Sequence, residues 1–172
     1  IIDVAEQALR DGLTKYTPSR GIPDLVEAIQ EKLKRDQGTD YAANEVISTV
    51  GTKGALSLIF DALVDDGDEV VFFRPCWVTY PDLVRLAGGT PVFVETDYAS
   101  RWTPDPEKLR AAMTEKTKAV VLCTPSNPTG MGVDKELLGQ LLDVVAETDA
   151  WVISDEIYER LTYAGYAHTS PL

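Results

Sequence analysis

Short β-rich runs alternate with amphipathic segments along almost the whole chain, and this alternation limits the possible folds more than any other feature. The runs are VISTV, EVVFF, PVFVE, AVVLC and WVIS, at 46–50, 69–73, 91–95, 119–123 and 151–154. Segments with helical spacing separate them, such as KGALSLIFDALVDDGD and DKELLGQLLDVVAET. Strands that alternate with helices form parallel sheets. The sequence therefore predicts an α/β fold of three layers, a mostly parallel sheet with helices on both faces.

Helical patterns also precede the first run. The segment IIDVAEQALRDGL is expected to be helical, and PDLVEAIQEKLKRD places Pro23 in its first turn, where the missing N–H has no partner to lose. The runs at 119–123 and 151–154 are apolar, as expected for strands buried on both faces. With no repeat or linker in view, we expect one compact unit.

Composition excludes several kinds of protein. The formal net charge of -12 disfavours nucleic-acid partners, since like charges repel. No apolar run reaches the roughly 18 residues of a membrane span. Cys76 and Cys123 are far apart and suggest a reducing, cytoplasmic setting. Because His168 is the only histidine, multi-histidine metal sites are excluded and a Ser-His-Asp apparatus would depend on it alone; we expect no metal.

Four of the predicted strands end in residues that a sheet does not need for its stability. The exits are GTKGAL, RPCWVTY, TPSNPTG and DEIY. Ligands of open α/β sheets bind beyond the carboxyl ends of the strands. These four exits together therefore predict a binding site at that edge.

Each exit taken alone has two interpretations. The turn VGTKGAL can dock an anion at a helix amino end or be an ordinary turn, and it is neither a P-loop nor a dinucleotide fingerprint. Trp77 is a core aromatic or a flat surface for a planar ring. Asp155 and Glu156 are helix-start charges, or one of them is a buried carboxylate that awaits a cationic partner. Asn127 is a turn residue, or Pro128 follows it through a cis bond that fixes an unusual turn.

Taken together, the exits describe one ligand. It carries a phosphate for the helix end, a flat ring for Trp77, a protonated ring nitrogen for Asp155, and a ring oxygen for Asn127 and Tyr158. Pyridoxal phosphate has these groups.

The motifs KYTPSRGIPDLVEAI, TVGTKGAL, PCWVTYPD, TPSNPTG and VISDEIYERL resemble, in this order, those of the class I/II aminotransferases, which are fold type I pyridoxal-phosphate enzymes. The resemblance covers nearly the whole chain. It implies that Asp155 pairs with the pyridinium nitrogen and stays ionised. It also implies that Asn127 and Tyr158 bind the phenolic oxygen, with Asn127 near the substrate carboxylate and Trp77 stacked on the ring. Asp155, Tyr158 and Asn127 are thus the expected catalytic residues, and Glu156 is assigned a structural helix start.

The same resemblance assigns the phosphate and the substrate. The backbone of Thr52 and Lys53, after Gly51, would hold the phosphate. Tyr16 would reach the phosphate of a neighbouring subunit, which implies a homodimer with shared sites. The motifs are similar to the bacterial aspartate aminotransferase branch, in which Lys53 would bind a distal carboxylate; the alternative is a solvated turn lysine. Lys53, Trp77 and Asn127 are the expected substrate-binding residues, and aspartate with 2-oxoglutarate is the favoured pair of amino acid and 2-oxo acid.

The family also requires a Schiff-base lysine and a substrate-binding arginine, and neither Lys15 nor Lys53 matches that lysine. We therefore expect residues 1–172 to be the N-terminal part of the cofactor-binding large domain, without most of the small domain. Alone they should not transaminate. Other interpretations remain open: a C–S lyase or cyclopropane-forming synthase of the same fold, a non-catalytic aminotransferase-like sensor, or a truncated protein that only folds and associates.

Overall fold

A computed structural model describes residues 1–171. Their contacts divide the chain into two compact units, Ile1–Thr49 and Val50–Leu172, instead of the single unit expected. The division has a simple cause: every described strand, with the helices that pack on the sheet, lies in the second unit.

The first unit is helical. It contains α1 (Ile2–Arg10), α2 (Pro23–Gln37) and a single 3₁₀ turn at Ala43–Glu45. Pro23 occupies the first turn of α2 as predicted. The strand predicted at 46–50 is wrong. The backbone is extended at Val46 but pairs with no described strand, because the amide of Ser48 instead donates to the loop carbonyl of Arg20 at 2.8 Å.

The second unit contains a four-stranded sheet. Its strands are β1 (Glu69–Arg74), β2 (Thr90–Glu95), β3 (Thr117–Cys123) and β4 (Trp151–Asp155). Their order is β2-β1-β3-β4 and every pair is parallel, which confirms the predicted sheet. Central β3 is buried on both faces as expected. Trp151 is 58% exposed, because β4 lies at the edge of the described sheet, so the expectation fails there.

Helices cover both faces of this sheet. The helices are α3 (Gly51–Leu63), α4 (Thr79–Leu86), α5 (Pro106–Ala112) and α6 (Lys135–Ala146). Phe60 of α3 and Tyr80 of α4 pack against Val121 in one core. Leu109 of α5 and Leu141 of α6 belong to a second core, on the opposite face. The predicted three-layer architecture is confirmed.

Strand register decides which face carries the end of β4. Cys123 of β3 pairs with Asp155 of β4, and two residues earlier Val121 pairs with Ile153. Alternate side chains of a strand share a face. Asp155 therefore points to the same side as Ile153, toward the core that α3 and α4 cover.

Candidate active site

A buried carboxylate lies at the carboxyl end of the sheet. Asp155 is only 7% exposed, and its Oδ2 accepts a hydrogen bond of 2.6 Å from the hydroxyl of Tyr80, which is 2% exposed. The amide of Ile157 donates to the other oxygen, Oδ1, at 3.2 Å. Both carboxylate oxygens thus have a donor, as a buried charge requires.

Tyr80 holds its proton firmly. Burial raises the pKa of its hydroxyl well above the ordinary value, and the hydrogen bond to Asp155 raises that pKa further. Tyr80 therefore acts as a donor toward Asp155 at any physiological pH. Its ring stacks on Phe72 at 5.8 Å and meets the ring of Trp77 edge-on at 5.3 Å, so these two rings fix its direction.

A pocket opens beside this carboxylate. The residues that line it come from all four predicted strand exits or the elements beside them: Thr52, Trp77, Tyr80, Cys123, Asn127, Asp155, Ile157 and Tyr158. The pocket has a volume of about 190 Å³. Residues of all four exits therefore line one pocket, although GTKGAL follows no strand of the described sheet.

The loop after β3 presents Asn127 to this pocket. The bonds Thr124-Pro125 and Asn127-Pro128 are both cis, in agreement with the interpretation of the doubled prolines. The loop closes on itself, since the amide of Ser126 donates to the carbonyl of Met131 at 2.8 Å and that of Gly130 donates to Ser126 at 2.8 Å. The Asn127 amide nitrogen lies 3.4 Å from the hydroxyl of Tyr158, so these two side chains are in contact, while their role toward a cofactor stays a prediction.

The turn before α3 is a helix start. Gly51 opens the helix, and the amides of Thr52 and Lys53 lie in its first turn, where main-chain N–H groups have no partner within the helix. Thr52 also lines the pocket. The Lys53 ammonium lies 5.5 Å from the centroid of the Trp77 ring, which places a positive charge beside the aromatic wall.

Two expected residues have other surroundings. Tyr16 belongs to the first unit and its side chain is exposed, so its role toward a second subunit stays a prediction. Glu156 starts no helix, and that assignment is wrong. Residues 157–160 form turns, and the Glu156 carboxylate faces His168 instead.

Sequence reasoning missed Tyr80. A tyrosine on an amphipathic helix is usually a core residue, so Tyr80 does not stand out as a site residue. A sequence signal exists, however, because a buried tyrosine hydroxyl needs a partner and a buried carboxylate is one of the two interpretations of the DEIY exit.

The fold and this site together define the class of protein. The chain belongs to the family described as aminotransferase class I and II, which matches residues 1–170. Among its relatives is the aspartate aminotransferase of Bacillus subtilis, 47% identical over 170 residues, which are 99% of this chain and 43% of that protein. The aspartate/prephenate aminotransferase of Thermus thermophilus is 48% identical over 169 residues, 98% of this chain and 44% of that protein.

Solved structures agree. The aspartate aminotransferase from Thermus thermophilus with maleate superposes with a TM-score of 0.94 at 48% identity, covering 98% of this chain and 44% of that one. An alanine aminotransferase from Pyrococcus furiosus superposes with a TM-score of 0.92 at 41% identity, covering 96% of this chain and 42% of that one. The chain thus spans less than half the length of the relatives it matches.

Members of this family use pyridoxal phosphate, and the residues present fit that group. Asp155 is a buried carboxylate with donors on both oxygens and the pocket beside it, Trp77 supplies a flat wall, and the start of α3 supplies amide donors.

No helix within residues 1–171 is long and apolar enough to cross a membrane.

Proposed function

We propose that the protein containing this chain is a pyridoxal-phosphate-dependent aminotransferase that moves an amino group between an amino acid and a 2-oxo acid. The observation that carries the proposal is the buried Asp155, held by Tyr80 at the edge of a pocket with an aromatic wall. The names of the relatives, which are aminotransferases, support it. The two free cysteines, Cys76 and Cys123, support a cytoplasmic location.

Each residue of the site has a separate task. When bound, pyridoxal phosphate supplies a ring that accepts electrons as a bond at the substrate Cα breaks. Asp155 would hold a proton on the ring nitrogen, because a carboxylate favours a neighbouring cation. Tyr80 keeps that carboxylate in one orientation. Trp77 would cover a face of the ring, while Asn127 and Tyr158 would donate to its phenolic oxygen.

Main-chain donors would bind the phosphate. The amides of Thr52 and Lys53 open α3, where the helix dipole favours an anion. Tyr16 contributes to the phosphate site of a second subunit, so the enzyme works as a homodimer. Residues 1–172 form the N-terminal part of the large domain, and the lysine that binds the cofactor covalently belongs to another part of the full-length protein.

Replacing Asp155 tests the proposal directly. In the full-length protein with its cofactor, Asp155→Ala should lower the turnover of aspartate with 2-oxoglutarate by about 10²–10³-fold, the usual loss for one preorganised electrostatic partner. Asp149→Ala, at an exposed carboxylate on the same chain, should leave turnover unchanged. Near-normal turnover of Asp155→Ala would defeat the assignment. Pyruvate and ammonia from a cysteine conjugate, without amino transfer, would favour a C–S lyase.

Lys53 carries the proposal that dicarboxylates are the preferred substrates. Its ammonium lies at the aromatic wall, where a distal carboxylate of aspartate or glutamate can pair with it. Lys53→Ala should raise KM for aspartate about tenfold, the loss of one charge-assisted contact, and leave KM for alanine within about twofold. Steady-state kinetics on both amino acids make the comparison. An equal rise for both would reject the preference.

A further inference from the structure

The segment at 163–170 returns across the ends of β3 and β4. On the β3 side, the hydroxyl of Tyr166 donates to the carbonyl of Val133 at 2.9 Å and lies 3.4 Å from the hydroxyl of Thr124. A Cβ at Gly132 would overlap the ring of Tyr166, so the ring packs directly on the main chain there. This half of the segment is tied to the loop that presents Asn127.

On the β4 side, the same segment reaches Glu156. Nε2 of His168 lies 2.6 Å from Oε2 of Glu156, and the hydroxyl of Ser170 donates to Oε1 at 3.0 Å. Ser154, on the strand itself, donates to the same Oε1 at 3.0 Å. The side chains of Glu156 and His168 are only 15% and 11% exposed. We call these four residues, Ser154, Glu156, His168 and Ser170, the Glu156 clamp.

The Glu156 clamp is better described as a hydrogen-bonded cluster than as a metal-binding site. Ligand atoms of Glu156, Glu159 and His168 lie within 4.8 Å of one another. Both oxygens of Glu156, however, already have partners within the clamp, which an ion would have to displace. Nδ1 of His168 is buried with no hydrogen-bond partner among residues 1–171, so Nε2 alone fixes the direction of the ring.

We propose that the Glu156 clamp positions Asp155 for the cofactor, with His168 as its central positioning residue. Glu156 directly follows Asp155, so holding the Glu156 side chain on both sides fixes the peptide between them. Tyr80 then orients the Asp155 carboxylate from the α4 side, while the clamp holds its main chain from the opposite direction. This inference rests on the proposed function, because it concerns the binding of pyridoxal phosphate.

The test measures cofactor affinity in the full-length protein, freed of cofactor and titrated with pyridoxal phosphate while tryptophan fluorescence is recorded. His168→Ala should raise the Kd about tenfold, the effect expected if Asp155 then occupies its binding position only about one tenth of the time. His168→Gln, which can still donate to Glu156, should bring the Kd back to within about threefold of the unmodified protein. The absorption spectrum of the bound cofactor should follow the Kd. It should shift in His168→Ala and match that of the unmodified protein in His168→Gln.

Two further variants make the test specific. If His168 acts through Glu156, the double variant His168→Ala/Glu156→Gln should bind no more weakly than His168→Ala alone, since coupled residues are not additive. Glu147→Gln is the matched control: this carboxylate is also held by a side chain, Arg110, but belongs to the α6 end of the molecule. It should leave the Kd unchanged.

Each outcome has a distinct meaning. A folded His168→Ala that loses thermal stability but keeps the Kd and the spectrum of the unmodified protein would overturn the inference and leave the proposed function intact. If His168→Ala does not fold, Glu156→Gln decides: a Kd raised about tenfold, by the same loss of the binding position of Asp155, supports the clamp, and an unchanged Kd overturns it. If the unmodified protein binds no pyridoxal phosphate, the proposed function itself fails.

Discussion

Replacing Tyr80 with phenylalanine removes one hydroxyl and little else. The Phe ring can keep the stacking on Phe72, so the loss of packing is small. Oδ2 of Asp155 would lose its hydrogen bond of 2.6 Å in a place where the carboxylate is only 7% exposed. Hydrogen bonds to buried charged groups contribute about 1.5–3 kcal/mol, so the free energy of unfolding should fall by about 2 kcal/mol.

Denaturant unfolding of the cofactor-free protein measures this loss. Tyr163→Phe is the matched control, because that side chain is 77% exposed, and its effect should stay within about 0.5 kcal/mol. In an Asp155→Asn background, Tyr80→Phe should cost about 1 kcal/mol or less, since the partner is then neutral. If Tyr80→Phe and Tyr163→Phe behave alike, the hydroxyl does not support Asp155 as argued.

The same hydroxyl gives a dependence on pH. The pKa of Tyr80 is raised above its ordinary value of 10.0 because the side chain is buried and donates to Asp155. A pKa raised by folding contributes stability that is present below the unfolded pKa and is lost as pH rises above it. Above pH 10 the unmodified protein should therefore lose up to about 1.4 kcal/mol of stability per pH unit relative to Tyr80→Phe. Parallel stability curves for the two proteins would refute this reasoning.

Two other expectations concern packing and the thiols. Gly132→Ala should lower the free energy of unfolding by about 1–3 kcal/mol, as overpacking does, because the new methyl group meets the ring of Tyr166; an unchanged denaturation midpoint would contradict that contact. Burial raises the pKa values of Cys76 and Cys123, so both thiols should react with a disulfide reagent much more slowly in the native protein than after denaturation. Peptide mapping identifies the modified positions, and equal rates in both states would show that burial does not protect them.

The sheet was predictable because its strands are marked locally. Each apolar run, such as 119–123, is bounded by turn residues, and the parallel arrangement follows from the helices between the runs. The strand at 46–50 was wrongly predicted for the complementary reason. Its composition suits a strand, but a strand exists only where another strand pairs with it, and Ser48 bonds to a loop instead.

The site residues that directly follow a predicted strand could be predicted from the sequence. Contacts between residues far apart in the sequence could not. Trp77, Asn127, Asp155 and Tyr158 stand directly at strand exits and do line one pocket. Their roles toward a cofactor stay predictions. The partner of Glu156 could not be found locally: a charge after a strand suggests a helix start, whereas His168 reaches it from a segment twelve residues further along the chain.

Because Cys123 pairs with Asp155, the sheet responds differently to a substitution and to a change in strand length. A substitution inside β3 or β4 alters one contact and leaves every other side chain on its own face. The loss or gain of a single residue inside β4 would turn the side chains beyond it to the opposite face. Asp155 would then leave Tyr80 and point toward the core around Leu141. The length of β4 is therefore constrained by the position of Asp155 at its end, whereas the exposed residues 97–101 lie outside the strands, where a change in length turns no strand residue to the other face.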